Sequence, residues 1–120
     1  MVIKKITGKT MFKPSFGGKK GTTDFYQAFI DDERVGEIEV KPISVYNGKP
    51  EILSLYSDIR ESGVGKFLVK EILKIYMDDE VYVMTTKESK PFWLKMGAVE
   101  INNYLCIFKK GLYIKSFNDF

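Results

Sequence analysis

Arg60-Glu61-Ser62-Gly63-Val64-Gly65 is the stretch of this 120-residue chain whose residue types and spacing best suit chemistry. It separates an apolar run, Ile52 to Tyr56, from the clearest helical pattern, Val64 to Tyr76. A glycine turn between a buried strand and a helix is a common anion site. The first N–H groups of the helix point at the ligand, and the helix dipole adds about half a positive charge there. Gly63 and Gly65 carry no side chain, so a phosphate-bearing ligand can approach the backbone closely. Arg60 and Lys66 can add cationic contacts.

Two nucleotide patterns fail on this turn. A Walker loop needs Gly, four residues, then Gly-Lys-Ser/Thr. Counting back from Gly65-Lys66, its first glycine would fall on Arg60, and its hydroxyl position is Phe67. A dinucleotide fingerprint needs a third glycine where Leu68 stands. It also opens a series of βαβ units, and this chain has one such unit, preceded by antiparallel strands.

The rest of the composition narrows the chemistry further. The chain has no histidine, which removes the commonest general base and the commonest metal ligand. With Cys106 as its single cysteine, it has no zinc site, no Cys-His or Ser-His-Asp mechanism and no intramolecular disulfide. No metal is expected. Proton transfer must then fall to carboxylates, tyrosines or water. Glu37, Glu39 and Glu51 lie on expected strands and are the candidate bases; Tyr56, Tyr82 and Tyr104 are the candidate donors. Cys106 alternates with Leu105 and Ile107, as a core or sheet-surface residue would.

Net charge is +3, but Arg34 and Arg60 are the only arginines among 19 basic residues. The scarcity of arginine argues against sequence-specific nucleic-acid binding. The Lys-rich stretch from Met1 to Thr23 reads as a solvated basic surface that can touch an anion. The start is too polar for a signal peptide, and no run approaches the roughly 20 apolar residues of a membrane span. A cytoplasmic protein with no membrane partner is expected.

The elements that must position these residues follow from the apolar periodicity. The length predicts a single domain over 1–120. Val2 to Thr7 reads as a first strand, and Thr10 to Thr23, with Pro14, Gly17, Gly18 and Gly21, as a Gly/Lys-rich loop. Asp24 to Ile30 and Val35 to Val40 form an antiparallel hairpin around Asp31-Asp32-Glu33, with Ile38 and Val40 on one face and Glu37 and Glu39 on the other. Ile52 to Tyr56 reads as a central strand covered on both faces.

The helix from Val64 to Tyr76 places Val64, Phe67, Leu68, Ile72, Ile75 and Tyr76 inward and Lys66, Lys70 and Lys74 outward. Val81 to Met84 completes a strand-helix-strand unit. Ser89 caps a short second helix with Pro91 in its first turn, and Gly97 closes it. Val99 to Ile101 and Tyr104 to Phe108 form a last hairpin around Asn102-Asn103. Residues 111–120 are a tail, with a further strand at Leu112 to Phe117 as one option.

The segment Leu53-Ser54-Leu55-Tyr56-Ser57-Asp58-Ile59-Arg60-Glu61-Ser62-Gly63-Val64-Gly65 resembles the acetyl-CoA motif of the GNAT N-acetyltransferases. Phe92-Trp93-Leu94-Lys95-Met96-Gly97-Ala98 is similar to that family's Phe-Tyr-x-Lys-x-Gly-Phe segment. The resemblance covers roughly Asp24 to Phe108. It implies an α+β/α/β fold: a mixed, mostly antiparallel sheet with a strand-helix-strand acetyl-CoA unit, split by a bulge in the strand ending near Leu55. Pantetheine would pair with the backbone of Leu55, Tyr56 and Ser57. Pyrophosphate would sit on the N–H groups of Glu61, Ser62, Gly63, Val64, Gly65 and Lys66, with Arg60 beside it. Acetyl transfer would be direct, to a primary amine of a small molecule or a protein, with Glu51, Glu39 or Tyr104 as the leading catalytic candidates.

The chain departs from the pattern in ways that bear on activity. Trp93 stands where the family's proton-donating Tyr is usual, Thr86 where Asn is common and Ser57 where Pro is often found. Only Lys9 to Thr23 lies between the first two strands, where the family places two helices that wall the acceptor site. The acceptor side would be open, with room for a second subunit to cover it. The alternative is a catalytically inactive GNAT-fold protein that binds CoA or a protein partner.

Overall fold

The computed structural model describes residues 3–6, 23–58 and 63–110. The loop and basic stretch read before Thr23, the residues Arg60, Glu61 and Ser62, and the tail at 111–120 lie outside them. Among the described residues, seven strands and two helices occur in the order β1 (Ile3–Ile6), β2 (Asp24–Ile30), β3 (Glu33–Lys41), β4 (Glu51–Ser57), α1 (Val64–Ile75), β5 (Val81–Met84), α2 (Lys90–Lys95), β6 (Val99–Asn102) and β7 (Leu105–Phe108). The sheet order is β1-β2-β3-β4-β5-β7-β6. Every neighbouring pair is antiparallel except β4 and β5, which α1 connects. The expected mixed, mostly antiparallel sheet with one strand-helix-strand unit is therefore observed.

The hairpin between β2 and β3 turns at Asp31 and Asp32, both with positive φ. Two left-handed residues in a row match the twist of the flanking strands. On β3 the expected alternation holds: Ile38 and Val40 are buried, while Glu37 and Glu39 face the other way and are half-buried. Gly36, Ile38, Val40, Ile52, Val81, Val83, Cys106 and Phe108 are buried in the sheet, and α1 packs across β2, β3 and β4. α1 inserts Val64, Leu68, Val69, Ile72 and Leu73 into this core. Val69 and Leu73 extend the inward stripe beyond the one read from the sequence. Ile75 does not belong to it and is exposed, because the helix ends there with Tyr76 as its cap.

α2 ends on Gly97 at φ 107, with Gly97 N–H donating to Leu94 O and Ala98 N–H to Trp93 O. That pair of bonds is the Schellman pattern, which needs a left-handed residue. The helix start differs from expectation. Ser89 makes no side-chain cap bond to the helix; its Oγ instead accepts the Thr86 N–H at 2.9 Å, and its own N–H donates to Thr86 Oγ1 at 3.1 Å. The hydroxyl is satisfied in the preceding turn, so the backbone alone begins α2. The last hairpin turns at Asn103-Tyr104, one residue later than read, because Asn102 Oδ1 accepts the Tyr104 N–H at 2.8 Å and Asn102 stays in β6.

Candidate functional site

β4 changes its relation to its neighbours halfway along. Against β3, Ile52 pairs with Val40, but Ser54 pairs with Glu39, so Leu53 is an extra residue. A bulge of this kind bends the strand and reverses the face of the residues beyond it. Against β5, pairing stops after Glu51–Tyr82 and Ile52–Val83. Beyond that point β4 runs on to Ser57 while β5 runs on to Met84, paired with β7. The two parallel strands therefore splay apart. The predicted split is present, with the extra residue at Leu53.

The splay opens a cleft of about 320 Å³. Ile52, Leu53, Ser54 and Leu55 form one wall. Val83 and Met84 form the other, and Thr86, Ser89, Phe92 and Trp93 close it from the side of α2. The lining is mostly apolar with a few hydroxyls, as suits a ligand bound by shape and oriented by sparse polar groups. Central placement of β4 is confirmed, but its covering on both faces is not: Tyr56 is 55% exposed, beyond the point where pairing with β5 ends.

Gly65, the last residue of the turn of interest, abuts this cleft. Gly63 is the N-cap of α1 with φ 90, and a Cβ there would meet nothing within 4 Å. A glycine cap puts no side chain over the helix start, and the first turn holds no acidic residue. The positive end of the helix dipole lies here, where it attracts an anion. Gly65 faces the cleft: a Cβ on it would lie 3.5 Å from Leu55 Cδ2 and 3.6 Å from Phe92 Cζ, both lining residues. The first turn of α1 and the cleft are therefore contiguous at Gly65. Of the expected ligand-binding residues, Leu55 lines the cleft, Tyr56 and Ser57 continue β4 beyond it, Gly65 borders it and Gly63 caps the helix two residues before. Val64 is fully buried in the core, so only its backbone can reach a ligand. Lys66 lies half-buried in the first turn.

The catalytic candidates scatter. Glu51 is 5% exposed at the closed end of the β4–β5 pair, where burial raises its pKa against the opposing pull of Lys41. Tyr104 is 71% exposed in the β6–β7 turn and does not line the cleft. Glu39 does not line it either, but its Oε1 accepts a hydrogen bond from Ser54 Oγ, which does, at 3.3 Å. Glu37 is occupied by Arg34 at 2.6 Å. Tyr56 hydrogen-bonds the Asp58 carboxylate, which raises its pKa and keeps the phenol protonated. Tyr82 stacks on Tyr46 with ring centres 4.8 Å apart.

Trp93 is 4% exposed and sets its ring edge against Phe108 at 6.2 Å, so it belongs to the core as well as to the cleft wall. Cys106 is fully buried opposite Val83, and burial pushes its thiol pKa up, which makes it a core residue. Sequence reasoning missed Leu53, Met84 and Ser89 as cleft residues. Their types carry no signal, since each lines the cleft only because of the bulge and the splay.

Among the described residues no group of three potential metal ligands occurs, and no helix is long and apolar enough to cross a membrane.

No protein-family model matches the chain, and no curated protein matches its sequence. Its fold has relatives among solved structures. A PaiA N-acetyltransferase from Thermoplasma acidophilum, in complex with coenzyme A, is 24% identical over 72% of this chain, with a TM-score of 0.57. This chain spans 60% of that protein's length. A protein from Desulfovibrio desulfuricans described as a GNAT-family acetyltransferase is 16% identical, with 78% of this chain and 72% of the other covered and a TM-score of 0.63. A chain in the AtaT–AtaR complex bound to DNA is 14% identical, with 98% and 99% covered and a TM-score of 0.68. The fold is that of the GNAT N-acetyltransferases. A bulged, splayed β4 that leads to a glycine turn and a helix is the feature on which the sequence resemblance and the structure agree.

Proposed function

We propose that this protein is an acetyl-CoA-dependent N-acetyltransferase acting on a primary amine. The observation that carries the reading is the cleft between β4 and β5, which Gly65 in the first turn of the glycine-capped α1 borders. The residues fit the cofactor. Beyond Ile52, where its pairing with β5 ends, the β4 backbone at Leu55 and Tyr56, with Ser57 next along the strand, would offer strand-type hydrogen bonds to an amide-containing arm. The helix start at Gly63 to Lys66, with Arg60, Glu61 and Ser62 before it, offers N–H groups and positive charge to a pyrophosphate. The coenzyme A bound to the Thermoplasma relative supports the same assignment. When bound, acetyl-CoA supplies a thioester that an amine attacks without a covalent enzyme intermediate.

The protein's own part is to hold the thioester in the cleft, exclude water with Phe92, Trp93 and Leu55, and accept a proton from the amine. Glu39 is the candidate base connected to the cleft; Glu51 and Tyr104 remain candidates only if an acceptor or a second subunit reaches them. The acceptor belongs to a small molecule or a protein, and the expected setting is the cytoplasm.

A second reading is a coenzyme A-binding or protein-interaction module without catalysis. Trp93 favours it, because the residue where the family places a proton-donating Tyr is an indole packed on Phe108, and indole N–H is no general acid. Calorimetry with acetyl-CoA, followed by turnover against a panel of primary amines, decides the matter. Binding with turnover is expected. Binding without turnover selects the coenzyme A-binding module, and no binding at high micromolar ligand overturns acyl transfer and leaves the protein-interaction module.

A further inference from the structure

We propose that Ser54 takes the proton of the attacking amine and hands it to Glu39, so that a strand hydroxyl and a carboxylate on the neighbouring strand act as a proton relay at the cleft. The inference rests on the acyl-transfer reading and adds the route of the proton.

The bulge creates the pair. Without the extra residue at Leu53, the Ile52–Val40 register would set Ser54 opposite Ile38 and drive its hydroxyl into the core face. With it, Ser54 sits opposite Glu39 on the other face. Ser54 Oγ donates to Glu39 Oε1 at 3.3 Å. Thr23 Oγ1, from a residue 7% exposed, donates to Glu39 Oε2 at 3.0 Å. The carboxylate is thus held at both oxygens and aimed along the Ser54 hydroxyl. Ser54 itself is exposed and lines the cleft. Its proton is committed to Glu39, and a hydroxyl oxygen keeps acceptor lone pairs besides its one donor. An amine entering the cleft therefore meets an acceptor already connected to a base. Of the other acids on this strand pair, Glu37 is engaged with Arg34, Glu51 lies at the closed end and Glu33 is exposed at the far end of β3.

The step balances. The amine nitrogen bonds to the acyl carbon, and the carbon–sulfur bond breaks with its electron pair on sulfur. The nitrogen loses one proton to Ser54 Oγ as the Ser54 proton moves to Glu39 Oε1. The protonated carboxyl then returns its proton to the thiolate or to solvent. Ser54 touches the amine; Glu39 acts through it.

Two measurements on the full chain test this. In the first, Ser54→Ala, Ser54→Thr and Glu39→Gln are compared in acetyl-CoA turnover with whichever amine of the panel the unaltered protein accepts. Ser54→Ala and Glu39→Gln are each expected to lower kcat about 100-fold, the usual contribution of a positioned proton acceptor, with the KM for acetyl-CoA unchanged. Ser54→Thr, which keeps the hydroxyl, is expected to retain most of the rate. In the second, Ser54→Cys is alkylated with iodoacetamide in the absence of acetyl-CoA, with and without Glu39→Gln. Cys106 is fully buried, so the label reports position 54. Removing a carboxylate hydrogen-bonded to the thiol is expected to speed alkylation about threefold or more, because a nearby negative charge disfavours the thiolate. Alkylation indifferent to Glu39, or turnover indifferent to both Ser54→Ala and Glu39→Gln, overturns the relay and leaves the acyl-transfer reading standing. Binding without turnover of any amine overturns both.

Discussion

A Cβ on Gly36 would lie 2.5 Å from Val64 Cγ1, so β3 and the first turn of α1 touch with no room for a side chain between them. The same Cβ would stand 2.9 Å from the backbone oxygen of Tyr56. Gly36 therefore lets three things close on one point: the strand that carries Glu39, the end of the cleft strand and the start of the helix. The height of Gly63 and Gly65 above the cleft is set here, far away in sequence.

Gly36→Ala is expected to destabilise the protein by about 1–3 kcal/mol, the range for a forced extra methyl in a close-packed site. Val64 can shift its side chain, but the Tyr56 carbonyl is backbone and cannot. Urea or thermal unfolding measures the loss. Acetyl-CoA affinity, measured well below the melting temperature, is expected to fall as well, because the helix start must lift away from the strand to admit the methyl.

The two glycines of the turn separate strain from recognition. A Cβ at Gly65 would make only ordinary contacts, at 3.5 and 3.6 Å, so Gly65→Ala is expected to leave the fold intact. Its methyl would occupy the border between cleft and helix, and calorimetry is expected to show acetyl-CoA binding weakened about tenfold, or 1.4 kcal/mol. Gly63→Ala meets open space but must hold φ near 90, which costs an alanine about 1–2 kcal/mol. Its principal effect is expected in unfolding measurements. Unchanged acetyl-CoA affinity in Gly65→Ala would place the ligand elsewhere.

Glu51 gives a pH signature of stability. Burial is the larger influence on it and raises its pKa above the ordinary 4.5, with Lys41 opposing. The folded chain then holds this proton more tightly than the unfolded chain does. Stability from this group is present below pH 4.5 and declines as pH rises from there through the raised folded value. Glu51→Gln removes the titration. Thermal melts across pH 3.5 to 7.5 are expected to show the variant more stable at neutral pH, with the difference closing toward the acid end. A variant less stable at neutral pH would mean that the Lys41 attraction outweighs the burial cost.

Much of this protein was legible from residue patterns because the forces involved are local. The Asp24–Ile30 strand, the helix beginning at Val64, the parallel unit it connects and the left-handed closure at Gly97 each follow from periodicity or from one residue's backbone preference. The two glycines stand where the sequence sets them, Gly63 as the N-cap of α1 and Gly65 in its first turn, because glycine tolerates the left-handed φ of 90 at the cap. Ile75 and Ser89 were misread for complementary reasons. A helical stripe says nothing of where the neighbouring sheet stops, and a capping residue can satisfy its hydroxyl one turn earlier.

The chain by itself determined the order of elements, the place of the glycine turn and the exclusion of histidine chemistry and of an intramolecular disulfide, all of which are properties of residue type and short spacing. Tertiary structure alone decided the cleft and the residues that face it. One extra residue at Leu53 reverses the face of everything after it in β4, and the end of pairing after Ile52 opens the gap. Both are outcomes of register between strands. Register is fixed by packing against partners far away in sequence, so no local pattern in Leu53-Ser54-Leu55 foretells that Ser54 meets Glu39.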